Sequence, residues 1–247
     1  LKFVKLNEDI INDFKEYLLK SKSKRTGKKT LAINSAVSYF NKVKATLKQA
    51  YKDGYLQTDL NAKIASIKPE ETHREYLTLE ELNKLVKTPC NDLLLKRAAL
   101  FSALTGLRFS DIKKLKWEEV EHIEGQGYFL SFHQQKTKGA EVLPISEQAY
   151  KLMEERREPE DLVFDGLKYS AYHNKYLFQW IGAAGITKDI TFHCFRHTYA
   201  VLQLANGTDI YTVSKMLGHK DLKTTQIYAK IVDATKQNTV DKIKLDF

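Results

Sequence analysis

The sequence predicts a mainly α-helical chain with one small antiparallel β-sheet, arranged as an all-helical first domain and an α+β second domain. Three observations carry this expectation. Apolar residues recur at helical spacing through most of the chain. The period changes to that of strands only between residues 121 and 145. A polar, proline-containing stretch, KPEETHR at 68–74, separates a strongly basic first part from a nearly neutral remainder. The expected boundaries are 1–70 for the first domain, 71–76 for the linker and 77–247 for the second domain.

The charge is unevenly spread. The chain carries 40 Lys+Arg against 31 Asp+Glu, a net +9. Residues 1–74 hold 16 of the basic and 8 of the acidic groups, leaving 24 and 23 for the rest. A lysine-rich solvated face is the plain explanation. The clustering of Lys22, Lys24, Arg25, Lys28 and Lys29 within nine residues favours a surface that tracks phosphates. No apolar run approaches the ~18 residues of a membrane span. Cys90 and Cys194 form no paired or metal-spaced motif, which fits a reducing cytoplasm. Leu1 is not a start methionine, so further sequence upstream is expected.

In chain order, residues 7–19 put Ile10, Phe14, Tyr17 and Leu18 on one helical face, and the basic stretch 20–29 reads as a loop. Residues 30–53 form a long amphipathic helix with Ala36, Phe40, Val43, Leu47, Ala50 and Tyr51 inward. Lys44, Lys48 and Lys52 share another face that suits DNA or solvent equally. Asp53-Gly54 ends the helix, and 59–67 suits a further short one. Thr78 with Glu81 is a capping box opening a helix over Leu79, Leu82 and Leu85. Asn91 can cap the next helix, which ends at Thr105-Gly106. Ser110 can cap the one after, leaving Arg108 in the turn between them. Residues 127–132 and 141–145 read as strands around a turn carrying Lys136 and Lys138, with another short strand at 162–164. Residues 169–184 look helical, with Tyr176, Phe178 and Trp180 in core or supporting places.

The last third holds the chemistry. In TFHCFRHTYA at 191–200, Phe192, Phe195, Tyr199 and Leu202 make the inward stripe, bordered by His193 and Arg196. Asn206-Gly207 stops this helix. A short amphipathic run ends at Leu217-Gly218, with His219 next and Tyr228 nine residues on. Two imidazoles, a guanidinium and a phenol near helix boundaries suit a phosphate attacked by a phenolic oxygen. His197, one turn from His193, raises a two-histidine metal pair, but nothing at suitable spacing completes it. A packing or hydrogen-bonding role suits it better, and Cys194 reads as a buried structural thiol.

These residues resemble the signature of the tyrosine recombinases (the phage integrase family): His193-x-x-Arg196, Leu217-Gly218-His219, then Tyr228. Thr105-Gly106-Leu107-Arg108 with Ser110-Asp111-Ile112 is similar to the family's other arginine motif, and QKTKGAEVLPIS to its lysine hairpin. The resemblance implies that Tyr228 attacks a DNA phosphate to give a 3′-phosphotyrosyl link. It has Arg108 and Arg196 hold the non-bridging oxygens, while His219 bonds the phosphate. His193 handles the tyrosine proton, and Lys136 protonates the leaving 5′ oxygen, with Lys138 as the alternative. A cationic cluster is expected to lower the phenol's pKa from its usual ~10. No metal, ATP or other cofactor is required, because the covalent link stores the energy of the broken bond.

The implied partners are double-stranded DNA, a homotetramer assembled on paired sites through a Holliday junction, and accessory DNA-bending proteins, in a bacterial, nucleoid-associated setting without a membrane. Residues 235–247 are expected to be exchanged between protomers. The motif wording is most like integrases of conjugative or mobilisable elements, which implies an arm-binding domain upstream. A type IB topoisomerase with the same chemistry and a catalytically silent DNA-binding regulator stay open as alternatives.

Overall fold

The computed structural model describes residues 5–71, 74–133, 140–168 and 170–229. The chain divides into two compact units, Leu1–His73 and Arg74–Phe247. The division falls inside the stretch whose composition marks it as a linker, and Arg74, Glu75 and Tyr76 go with the second unit.

The described part of the first unit is three helices: α1 (Glu8–Lys20), α2 (Ile33–Lys52) and α3 (Leu60–Lys63). Asn7 caps α1 by accepting the Ile10 N–H at 3.0 Å. Its buried residues are Ile11 and Leu18, seven apart on one face. Leu18 is inward as expected, whereas Phe14 and Tyr17 stay 36% and 64% exposed and Ile11 is buried in place of Ile10. In α2, Ala36, Phe40, Leu47 and Ala50 are buried, whereas Tyr51, expected inward, is 43% exposed. Ala50 takes that inward slot, and the larger ring turns outward. Leu56, Leu60, Ile64 and Ile67 close the core.

The basic stretch 21–29 is a tight reversal. Lys22 bridges Lys29, the Ser23 N–H donates to the Lys28 carbonyl, and Gly27 turns the chain at φ +64. Lys22, Lys24, Arg25, Lys28 and Lys29 are all exposed on it, as is Lys48 on α2. Lys44 differs: its ammonium donates to the Ile64 carbonyl and is spent within the unit.

The second unit is α4 (Leu79–Lys87), α5 (Leu93–Thr105), α6 (Phe109–Ile112), β1 (Val120–Ile123), β2 (Gly127–His133), β3 (Ala140–Ile145), α7 (Glu147–Lys151), α8 (Ala171–Ala183), α9 (Phe192–Ala205), α10 (Ile210–Met216) and α11 (Lys223–Ala229). The Thr78–Glu81 capping box forms in both directions, at 3.2 and 2.7 Å. Leu82 and Leu85 then face the core while Leu79 is 56% exposed. Asp92, not Asn91, caps α5, because its carboxylate reaches the Leu95 N–H at 2.9 Å. Ser110 lies within α6, whose N-cap position is Arg108 itself.

The strands form an antiparallel sheet in the order β1-β2-β3. Leu130 pairs with Val120 on one side and Leu143 on the other, and all three are buried. The turn carrying Lys136 and Lys138 lies outside the described residues. Residues 162–164 make only a single bridge, from Leu162 to Lys116, although Val163 and Phe164 enter the core. Trp180 is buried on α8, but Phe178 is 71% exposed.

Helix α5 is apolar on nearly every side and packs against α9, the axis of the unit. It ends at Gly106 in the left-handed conformation, φ +72. A Cβ there would sit 2.6 Å from the Tyr199 ring and 2.9 Å from Leu217. Gly54 has a similar φ of +78 with nothing within 4 Å. Gly106→Ala is therefore expected to lower stability by about 2–4 kcal/mol, against about 1 kcal/mol for Gly54→Ala, in urea denaturation. Equal losses would mean that backbone conformation alone, not close approach, requires glycine at 106.

Candidate functional site

Three turns meet on α9. The first follows α5, where Gly106 reverses the chain and Arg108 starts α6. Phe109 anchors that turn edge-on against Phe192, ring centroids 4.9 Å apart. The second follows α10, whose N-terminus Asp209 caps by accepting the Tyr211 and Thr212 N–H groups. Its C-terminal turn brings His219 back so that its N–H donates to the Ser214 carbonyl at 3.0 Å. The third element is α11, carrying Thr225 and Tyr228.

Arg196 joins these pieces from the middle of α9. It is 2% exposed. Its Nη1 donates to the Gly106 carbonyl at 2.5 Å, and its Nη2 to the Leu217 carbonyl at 2.7 Å and to His219 Nε2 at 3.0 Å. A guanidinium only donates, so His219 Nε2 accepts and the ring proton sits on Nδ1. That proton points at Thr225 Oγ1, 2.7 Å away on α11. Burial first, and then the neighbouring Arg108 cation, pull Arg196 down to about 10, so it remains charged at neutral pH.

Arg108 lies 3.7 Å from the buried carboxylate of Asp111. It thus stands close enough to act on Arg196 and on Tyr228. Two like charges side by side on a low-dielectric wall suit an anion between them. Arg108, Arg196, His219 and Tyr228 are therefore brought into one neighbourhood. Lys136 lies outside the described residues.

Tyr228 is only 3% exposed. Burial raises its pKa, outweighing the lowering by Arg196, Arg74 and Arg108, so the expected net depression is not present in this state. The Tyr228 hydroxyl is hydrogen-bonded to His197, whose Nδ1 lies 2.7 Å from Tyr228 Oη, and exposed His193 meets the His197 ring edge-on at 4.5 Å. Sequence reading gave His197 a hydrogen-bonding role without its partner. It missed Thr225, Asp111 and Arg74, whose polarity resembles that of ordinary cap and turn residues. Cys194 is buried, with its Sγ 3.4 Å from the Thr191 N–H.

Burial, then the charges of His193, Arg74, Arg196 and His219, push His197 from 6.5 down to about 3. It is neutral near pH 7, so the Tyr228 hydroxyl donates to Nδ1 and the imidazole proton is on Nε2. The unfolded chain takes up a proton near pH 6.5 that the folded chain refuses until about pH 3. Stability from this site is thus complete above pH 6.5 and falls with pH, by at most about 1.4 kcal/mol per unit. Urea denaturation between about pH 6 and pH 4 is expected to show a shallower fall for His197→Asn than for the unaltered chain. Parallel slopes would show that His197 does not titrate in this way.

Comparison with known proteins shows the family. Residues 75–235 match the model of the phage integrase family, and residues 1–64 that of the phage integrase SAM-like domain. A tyrosine recombinase of Thermosipho africanus is 28% identical over 178 residues, 68% of this chain and 62% of its own. The ICEBs1 integrase of Bacillus subtilis is 22% identical across 97% of this chain and 71% of its own. Among solved structures, a lambda integrase (75–356) dimer bound to a COC′ core site superposes with a TM-score of 0.68 at 19% identity, covering 91% of this chain and 80% of that one. With the family's model matched from Arg74's neighbour Glu75 through α11, the chain belongs to the phage integrase family, the tyrosine recombinases.

Proposed function

We propose that this chain is a site-specific DNA recombinase of the integrase type, cutting and rejoining strands through Tyr228. One observation carries the reading: Arg108, Arg196 and His219 converge, beside the buried carboxylate of Asp111, on the neighbourhood of a phenol whose ionised form Arg196, Arg74 and Arg108 all favour. A phosphodiester between the guanidiniums would relieve their repulsion. Its attack by Tyr228 would concentrate charge on oxygens that they face.

In this mechanism the Tyr228 oxygen bonds to phosphorus, and the 5′ oxygen leaves with a proton supplied by Lys136. The phenolic proton passes to an imidazole on α9, where His193 is exposed to solvent. The 5′ hydroxyl of a partner strand then attacks the phosphotyrosyl bond and restores the phenol. Arg196 spends three N–H groups on Gly106, Leu217 and His219, leaving two for phosphate oxygens. The exposed basic turn at 22–29 supplies phosphate contacts that position the first unit, and a homotetramer on paired sites with exchange of residues 235–247 completes the assembly. Its relatives include the ICEBs1 integrase, which supports work on a mobile element.

The test is covalent capture. Incubated with a library of nicked duplexes of randomised core, the chain is expected to form a denaturant-resistant adduct whose DNA reveals the site. Tyr228→Phe forms none, and Arg108→Ala slows adduct formation by about 10²–10³-fold. Lys136→Ala is rescued by a 5′-bridging sulfur, which leaves without a proton. No adduct from the unaltered chain would favour a silent regulator, and relaxation without strand exchange a topoisomerase. Separately, replacing Lys24, Arg25 and Lys28 by Ala is expected to reduce the slope of log affinity against log salt by about 3, measured by fluorescence anisotropy on duplex DNA. An unchanged slope would remove that turn from the interface.

A further inference from the structure

Helix α11 is held to the unit by two side-chain hydrogen bonds, one turn apart, and each ends on an imidazole. Thr225, fully buried, meets His219 Nδ1 at 2.7 Å. Tyr228 meets His197 Nδ1 at 2.7 Å, with ring centroids 5.4 Å apart and both residues almost wholly buried. The phenol in this position is covered, protonated and already committed as a donor. At 3% exposed it cannot reach a phosphate while α11 stays packed with Tyr228 against His197.

From this geometry we infer that His197 is the positioning residue of Tyr228: its Nδ1 lone pair holds the hydroxyl at rest, and exchange of that hydrogen bond for the phosphate is the step that arms the nucleophile. The inference rests on the reading of Tyr228 as nucleophile. The surroundings of His197 suit a holder rather than a base. His193 stacks on its edge and Arg196 adjoins it on α9. Arg74 acts on it from the segment before α4, and His219 from the turn after α10. A proton accepted there would stand among four cationic or protonatable groups, so the imidazole stays neutral and its acceptor is always available. The Thr225 contact makes the arrangement responsive to the site. His219 bonds both Thr225 and Arg196, so a phosphate drawing on Arg196 and His219 also draws on the anchor one turn before Tyr228.

The experiment compares His197→Asn, whose side-chain oxygen can replace Nδ1 as acceptor, with His197→Gln, whose amide is displaced by one methylene. Tyrosine nitration of the free chain by tetranitromethane, read at Tyr228 by peptide mass spectrometry, is expected to rise about fivefold in the Gln variant and to return near the unaltered level in the Asn variant. Adduct formation on the duplex library is expected to quicken in the Gln variant with an unchanged pH profile. Should the Gln variant fail to fold, Thr225→Val removes the neighbouring anchor and is expected to raise nitration in the same way. Equal nitration in all variants would overturn the inference, as would slower cleavage with a shifted pH profile, which would make His197 a base. No adduct from the unaltered chain would instead overturn the recombinase reading, while the nitration comparison would still decide whether His197 holds Tyr228.

Discussion

The buried guanidinium of Arg196 is the constraint on which the second unit's site depends. It bonds carbonyls 90 residues before and 21 residues after it in sequence. Both carbonyls lie where helices end, at Gly106 after α5 and Leu217 after α10, and there the helix dipole presents its negative end. Withdrawing a guanidinium from water costs several kcal/mol, and these oriented carbonyls offset part of it without neutralising the charge. Lysine would not serve, since one ammonium cannot address two carbonyls and an imidazole in a plane. The arginine thus sets the turn bearing Arg108 and the turn bearing His219 before any phosphate is bound.

Electrostatics and desolvation pull against each other around Tyr228. Arg196, Arg74 and Arg108 all favour the phenolate, yet burial wins and the pKa is raised. In this state the Tyr228 phenol is therefore held in its protonated form. Reversing that balance takes a further cation near the hydroxyl or a displacement of α11 that returns the phenol to water. Tyr199 shows the same competition in simpler form. It is buried near Arg196 and pushed up to about 12, because one cation does not repay the lost hydration.

What the sequence made legible was periodicity and motif order. The sheet, the long helices and the Thr78 capping box follow from local chemistry, and four of the five described motif residues, Arg108, Arg196, His219 and Tyr228, lie in one neighbourhood. What it hid was decided by tertiary neighbours. Ala50 and Tyr51 are both compatible with an inward place on α2, and packing chose the smaller. Asn91 and Asp92 are both good caps, and the backbone angle at 92 selected the aspartate. The burial of Tyr228 was illegible because α11 is polar along most of its length. Only Thr225 and Tyr228 turn inward, and their partners lie on other elements. His197 illustrates the same limit, since its partner is 31 residues away.

The uneven charge of the chain acquires a physical sense from this site. Residues 75–247 carry 24 basic and 23 acidic groups, so the second unit has little long-range pull on a polyanion. At its site Arg196 is buried and Arg108 partly so, and a phosphate must shed water to meet them. Such contacts reward one stripped phosphate strongly and reward a passing phosphate backbone hardly at all. The exposed cations of the basic turn are of the other kind, solvated charges whose attraction for any polyanion weakens as salt rises. Under the proposed function, affinity and chemistry fall to different kinds of charge, and a stronger surface field on the second unit would tighten DNA binding without loosening the Tyr228–His197 hydrogen bond.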